Sequence, residues 1–145
     1  MKLTNQDVVG AVNALAAIRD EKLPVKVSMD LAQMAIKLGD TFKAFEEVRE
    51  GLRKTYEISS EVVDDKVVLK SKLDEGAKKG EEGKQVQKFL DEMRDLLKLE
   101  VEVVVKVVAL PEKVAGTCDK CGHNMDVPLQ LTQGTMVALA KLVTV

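Results

Sequence analysis

"MDLAQMAIKLGDTFKAFEEVREGLRKTYE", residues 29 to 57, decides the architecture of this 145-residue chain. Leu31, Met34, Leu38, Phe42, Phe45, Val48, Leu52 and Tyr56 recur every three or four residues, the period of a helix with one buried stripe. Ser28 stands before the run as a start signal. The spacing predicts one long, coiled-coil-like helix from Met29 to about Tyr56, spanning roughly 40 Å at 1.5 Å per residue. A compact domain of this size needs less, so a later helix or a second chain must cover its far end. Gly39 and Gly51 each weaken the helix by roughly 1 kcal/mol relative to alanine.

Upstream, "LTNQDVVGAVNALAAIRD" places Thr4 before another apolar-periodic run, with Asp7 three residues on, close to a capping box. Val8, Val12, Leu15 and Ile18 would form the buried stripe of a helix from about Asn5 to Asp20. Leu23-Pro24 ends it, because the residue before a proline disfavours helical angles. Downstream, periodicity fails from Glu57 to Lys84. The chain reads as a single domain, 1–145, with a mobile charged insert over 57–84, in which "DDKVVLKSKL" could form a short strand. Helical signal returns in "EGKQVQKFLDEMRDLLK", where Val86, Phe89, Leu90, Met93, Leu96 and Leu97 make an apolar face for antiparallel pairing with the long helix.

The period then changes to two. In "LEVEVVVKVVAL", Leu99, Val101, Val103, Val105 and Val107 fall on one face, and Glu100, Glu102, Val104, Lys106 and Val108 on the other. One strand is expected there, paired with "DKVVLK", with "LPVKV", or with the same strand of another chain. "LTQGTMVALAKLV" reads as a short terminal helix capped by Thr132. The fold class is therefore α+β: a long helical hairpin, a small antiparallel sheet built around Val101 to Val107, and a C-terminal cysteine loop leading to a short helix.

Composition narrows the function. A net charge of −2 gives no global attraction to nucleic acid or anionic lipid. Aromatic residues are few, Phe42, Phe45, Phe89 and Tyr56 with no tryptophan, which argues against a base-stacking reader. Asp7 and Asn13 interrupt the N-terminal run, so no signal peptide is read. No apolar run reaches the roughly 18 residues a spanning helix needs, so a soluble cytosolic protein is the default.

Both cysteines and the one histidine lie in "GTCDKCGHNMDVP", residues 116 to 128, at C-x-x-C-G-H spacing. Cys118, Cys121 and His123 could converge on one structural zinc, with Asp126 or Asp119 as a carboxylate ligand, or the site could be shared between chains. A plain turn with two free thiols and a redox pair are the alternatives. The redox reading is the weaker, since the cysteines do not open a helix after a strand. No phosphate-binding loop, dinucleotide fingerprint or nucleophile elbow occurs. Glu46, Glu47 and Glu50 read as a solvated face, and Glu75, Glu81 and Glu82 dilute Lys78, Lys79, Lys84 and Lys88. No catalytic residues are assigned and no enzyme is expected.

The layout from "LTNQDVVGAVNALAAIRDEKLPVKV" through the long helix, and then "FLDEMRDLLKLEVEVVVKVVAL", resembles a family of small tailed-bacteriophage proteins of uncharacterised function. The resemblance covers about two thirds of the chain. It rests on a short helix, a Leu-Pro-Val segment, a long helix with an acidic-Arg stretch, a late helix and an E-V-x-V strand. The C-x-x-C-G-H stretch is not part of that pattern, so no metal role carries over. The resemblance implies a phage or prophage origin, in host cytoplasm or virion.

The expected function is that of a non-enzymatic accessory protein acting through protein–protein contacts in virion assembly or structure. The expected partners are copies of itself, as a homo-oligomer, and another phage or host protein. Phe42, Phe45, Val48, Leu52, Val104 and Val108 are the candidate contact residues. The alternative is an anti-defence protein that binds a host immune protein or sequesters a signalling nucleotide.

Overall fold

The computed structural model describes residues 1–76, 83–117 and 120–144. In chain order the elements are β1 (Lys2–Thr4), α1 (Asn5–Ile18), α2 (Val25–Thr55), β2 (Ile58–Val63), β3 (Lys66–Ser71) and a 3-10 turn at Lys72–Asp74. They continue with α3 (Lys84–Lys98), β4 (Glu100–Glu102), β5 (Val108–Ala109), β6 (Lys113–Thr117), β7 (Asn124–Pro128), α4 (Gln133–Leu139) and β8 (Val143–Thr144). The class is α+β, and α2 alone takes 31 residues. The chain divides into two compact units, Met1–Phe42 with Glu100–Val145, and Lys43–Leu99. Among the described residues no helix is long and apolar enough to cross a membrane.

The first unit begins with a complete capping box. Thr4 Oγ1 accepts the Asp7 N–H at 3.1 Å, and Asp7 Oδ2 accepts the Thr4 N–H at 2.9 Å, so aspartate serves where glutamate is usual. Lys141 Nζ donates to the same carboxylate oxygen at 2.7 Å, tying the start of α1 to the segment after α4. The Lys141 bond holds the Asp7 pKa below its ordinary value; burial opposes it, and the two Thr4 bonds lower it further.

Val8, Leu15 and Ile18 of the expected α1 stripe are buried, whereas Val12 is half-buried and Ala11 beside it is buried instead. The Pro24 carbonyl accepts the Ser28 N–H at 2.9 Å, so this proline leads into α2, where its missing N–H costs nothing. Consequently α2 starts at Val25, ahead of the Ser28 signal, and "LPVKV" opens a helix instead of pairing as a strand. Leu31, Met34 and Leu38 carry its buried face. On α4, Thr132 accepts the Thr135 N–H at 3.2 Å, the expected cap. A Cβ placed on Gly10 of α1 would lie 3.6 Å from the Ala138 Cβ, so α1 and α4 pack closely there.

The run from Leu99 to Leu110 is not the single strand its alternation suggests. Glu100–Glu102 pairs antiparallel with Lys2–Thr4, Leu3 facing Val101, and Val108–Ala109 pairs parallel with Val143–Thr144. Residues 103–107 carry no ladder, and the inward face changes phase across them: Val103 is buried on the odd register, then Val108 and Leu110 on the even one. A shift of one residue exchanges the two faces of a strand. Neither predicted partner is used, because β4 and β5 draw their partners from opposite ends of the sequence. Leu3, Ile18, Leu38, Val108, Leu139 and Leu142 are among the side chains of the shared core.

In the second unit the expected insert contains the antiparallel β2–β3 hairpin, in register from Ile58↔Ser71 to Val63↔Lys66; β3 is the short strand expected in "DDKVVLKSKL", and β2 is its unforeseen partner. Asp64 and Asp65 make its turn, both with positive φ (50° and 61°), the backbone demanded by a primed two-residue turn. Residues 77–82 of the expected insert lie outside the described residues. The 3-10 turn then caps α3. Gly83 at the N-cap has no side chain to offer, and Asp74 accepts the Gln85 N–H at 3.1 Å and the Val86 N–H at 3.4 Å in its place. Phe45, Phe89 and Leu96 are buried, and Tyr56 meets Phe89 edge-on at 6.3 Å between ring centres. The Tyr56 O–H donates to Glu92 at 2.8 Å, and that carboxylate raises the phenol pKa above its ordinary value.

Candidate functional site

The cysteine stretch sits at the end of a second hairpin. β6 and β7 pair from Lys113↔Pro128 to Thr117↔Asn124, so the ladder closes on both sides of the C-x-x-C-G-H sequence. Gly116 makes the pairing possible: a Cβ there would come within 2.6 Å of Val127 Cγ2. Gly122 takes the left-handed conformation at φ 69°, which turns the chain between Cys121 and His123. Cys121 is an exposed free thiol, and His123 and Asp126 are exposed as well, with Asp126 opposite Ala115. Cys118 and Asp119 lie outside the described residues. Among the described residues, no three histidine, cysteine, aspartate or glutamate side chains are gathered as metal ligands.

The candidate contact residues differ in burial. Phe42 is half-buried against the core of the first unit, whereas Phe45 is buried. Leu52 is half-buried and Val48 exposed. Val104 is 77% exposed but Val108 only 3%, because the phase change at 103–107 separates two residues that simple alternation puts on one face.

The sequence reading missed a second apolar face on α2. Val25, Met29 and Ile36 are 81%, 56% and 69% exposed, beside the exposed alanines Ala32 and Ala35. Their three- and four-residue spacing was the available signal, masked by the stronger stripe through Leu31, Met34 and Leu38. This face borders a groove of about 430 Å³ between α1 and α2, whose walls include Val12, Ala16, Leu31, Ala35 and Ile36. Its chemistry is that of an apolar contact surface; Ser28 and Arg19 are its polar margin. A further exposed apolar patch lies on the β2–β3 hairpin, where Val62 opposes Val67 near the turn.

Comparison with protein-family models, curated proteins and solved structures gives no match.

Proposed function

We propose that this chain is a non-enzymatic accessory protein that acts by protein–protein contact and associates with itself. One observation supports the reading: large apolar side chains stand exposed in ordered rows on regular elements, Val25, Met29 and Ile36 on α2 and Val62 with Val67 on the hairpin. Rows of this kind mark contact surfaces more often than scattered single residues do. A virion-assembly or structural role in a bacteriophage is proposed as the setting, and its support is the resemblance in sequence layout alone. Sedimentation velocity over a hundred-fold range of protein concentration is the test. Association into a defined oligomer is expected; a single-chain species at every concentration overturns the self-association reading.

Zinc is the second proposal, with Cys118, Cys121, His123 and Asp126 as donors. Its support is the C-x-x-C-G-H spacing between the paired strands β6 and β7, with the left-handed Gly122 between Cys121 and His123. Native mass spectrometry of protein purified without chelator should find zinc in fixed ratio to chain, lost in Cys121→Ser and His123→Ala. Metal-free wild-type protein that takes up no added zinc would overturn it.

A further inference from the structure

We propose that the exposed face of α2 between Val25 and Asp40 is the self-association surface, and that it meets the same face of a second copy antiparallel, about a two-fold axis near Gln33. The proposal rests on the self-association reading and names the surface for it.

The face has the form of a self-complementary seam. Residues seven apart are close to two helical turns apart and so fall in one column. Val25, Ala32 and Gly39 make one column, and Met29 and Ile36 the next. Large side chains thus stand beside small ones. A Cβ at Gly39 would meet no atom within 4 Å, so space is open there. Turned end for end, Met29 of each copy lies beside Ile36 of the other. The apolar groove between α1 and α2 supplies a hollow for the protruding side chains.

Charge decides the occupant and its direction. The flank beside the seam carries the column Lys26, Gln33 and Asp40, all exposed, with the two opposite charges equally far from the glutamine. An antiparallel copy centred on Gln33 therefore sets Lys26 against Asp40 of the other chain, twice over. A parallel copy about a two-fold axis would set this flank against the opposite flank of the seam, Ser28 and Ala35, and leave Lys26 and Asp40 without a charged partner across the interface. A two-fold interface requires such a pattern, because every contact must be answered by its own inverse.

The area is adequate for a concentration-dependent dimer. Sixteen residues of helix at 1.5 Å each, with the neighbouring groove, give a face of about 24 by 20 Å, or roughly 1,000 Å² in total over two copies, at the lower bound for a specific interface.

The experiment is sedimentation equilibrium on the full chain in low salt, with helicity checked by circular dichroism. Ile36→Glu and Met29→Glu place a carboxylate in the apolar seam at positions already open to water. Each should raise the dimer Kd at least ~30-fold with helicity unchanged. Lys26→Glu alone and Asp40→Lys alone should each raise it about 3- to 10-fold, since two symmetry-related pairs become repulsive. The double exchange K26E/D40K should return it to within about 2-fold of wild type.

If wild type dimerises and neither seam substitution changes Kd, the surface is wrong while self-association stands. Failure of the double exchange to restore affinity overturns the antiparallel arrangement. A wild type that stays a single chain at all concentrations overturns both readings.

Discussion

In the unit formed by Met1–Phe42 and Glu100–Val145, Val8, Val103, Val108 and Val143 are buried, whereas the β2–β3 hairpin of the other unit leaves Val62, Val63, Val67 and Val68 exposed. The residue type is the same and the local backbone is extended in most of both sets. The difference is the second layer. In the first unit two-residue and three-residue strands suffice because α1, α2 and α4 contribute Ile18, Leu38 and Leu139 to one core. In the second, six paired positions form a ribbon whose outer half has no layer over it. An isolated two-stranded ribbon is marginal in water, so regular hydrogen bonding is a poor guide to where stability resides.

Core truncation tests this contrast most strongly. Leu38→Ala and Leu139→Ala, both at fully buried positions, should each cost about 2–5 kcal/mol in urea unfolding. Val67→Ala on the ribbon should stay within about 0.5 kcal/mol. A comparable loss at Val67 would break the comparison.

A smaller effect sharpens it through pH. Asp7→Ala removes the capping box and the Lys141 bond together and should cost about 1–2 kcal/mol at neutral pH. The folded-state pKa of Asp7 is depressed, so its contribution is present above the ordinary carboxylate range and lost as pH falls through the folded value. The difference between wild type and variant should shrink progressively as pH falls below the ordinary carboxylate range. A gap that persists in acid would remove the carboxylate from the explanation.

The smallest effect is spectroscopic. Tyr56 is the one tyrosine of the chain, so ultraviolet titration reads its phenol alone. Glu92→Gln should move that titration down toward the ordinary range, because the carboxylate that accepts its proton also disfavours the phenolate. An unmoved titration would detach Tyr56 from Glu92.

What was legible in the sequence was local. The Thr4–Asp7 cap, the Thr132 cap and most of the expected stripes, Val8, Leu15 and Ile18 on α1 and Leu31, Met34, Leu38 and Phe45 on α2, follow from spacing within a few turns, and the structure has them; Val48, expected in the same stripe, is exposed. Pairing across long separations was not legible. β1 is three residues long and merges with the lead-in to α1, so nothing marks it as the partner of Glu100–Glu102. The β2–β3 turn uses Asp64-Asp65 where Asn-Gly would have announced a hairpin, though valines on both sides of the aspartates were a usable sign. The Asp74 cap of α3 reaches across intervening sequence and has no short-range pattern. Of the site, the C-x-x-C-G-H spacing was visible, as was the apolar content of α2. Its second face was not, because one helix carries two stripes and the larger side chains of the buried one dominate its periodicity.

The division of the chain has a consequence for its synthesis. Residues Lys43–Leu99 are contiguous and leave the ribosome together, so the second unit can form while later codons are still being read. The first unit waits. Its opening strand and helix emerge before the second unit, but Leu139, Leu142 and Val143, which close their core, follow it. Until those residues follow, Val8, Leu15 and Ile18 have no complete interior to enter, so α1 is the apolar surface left open longest within this unit.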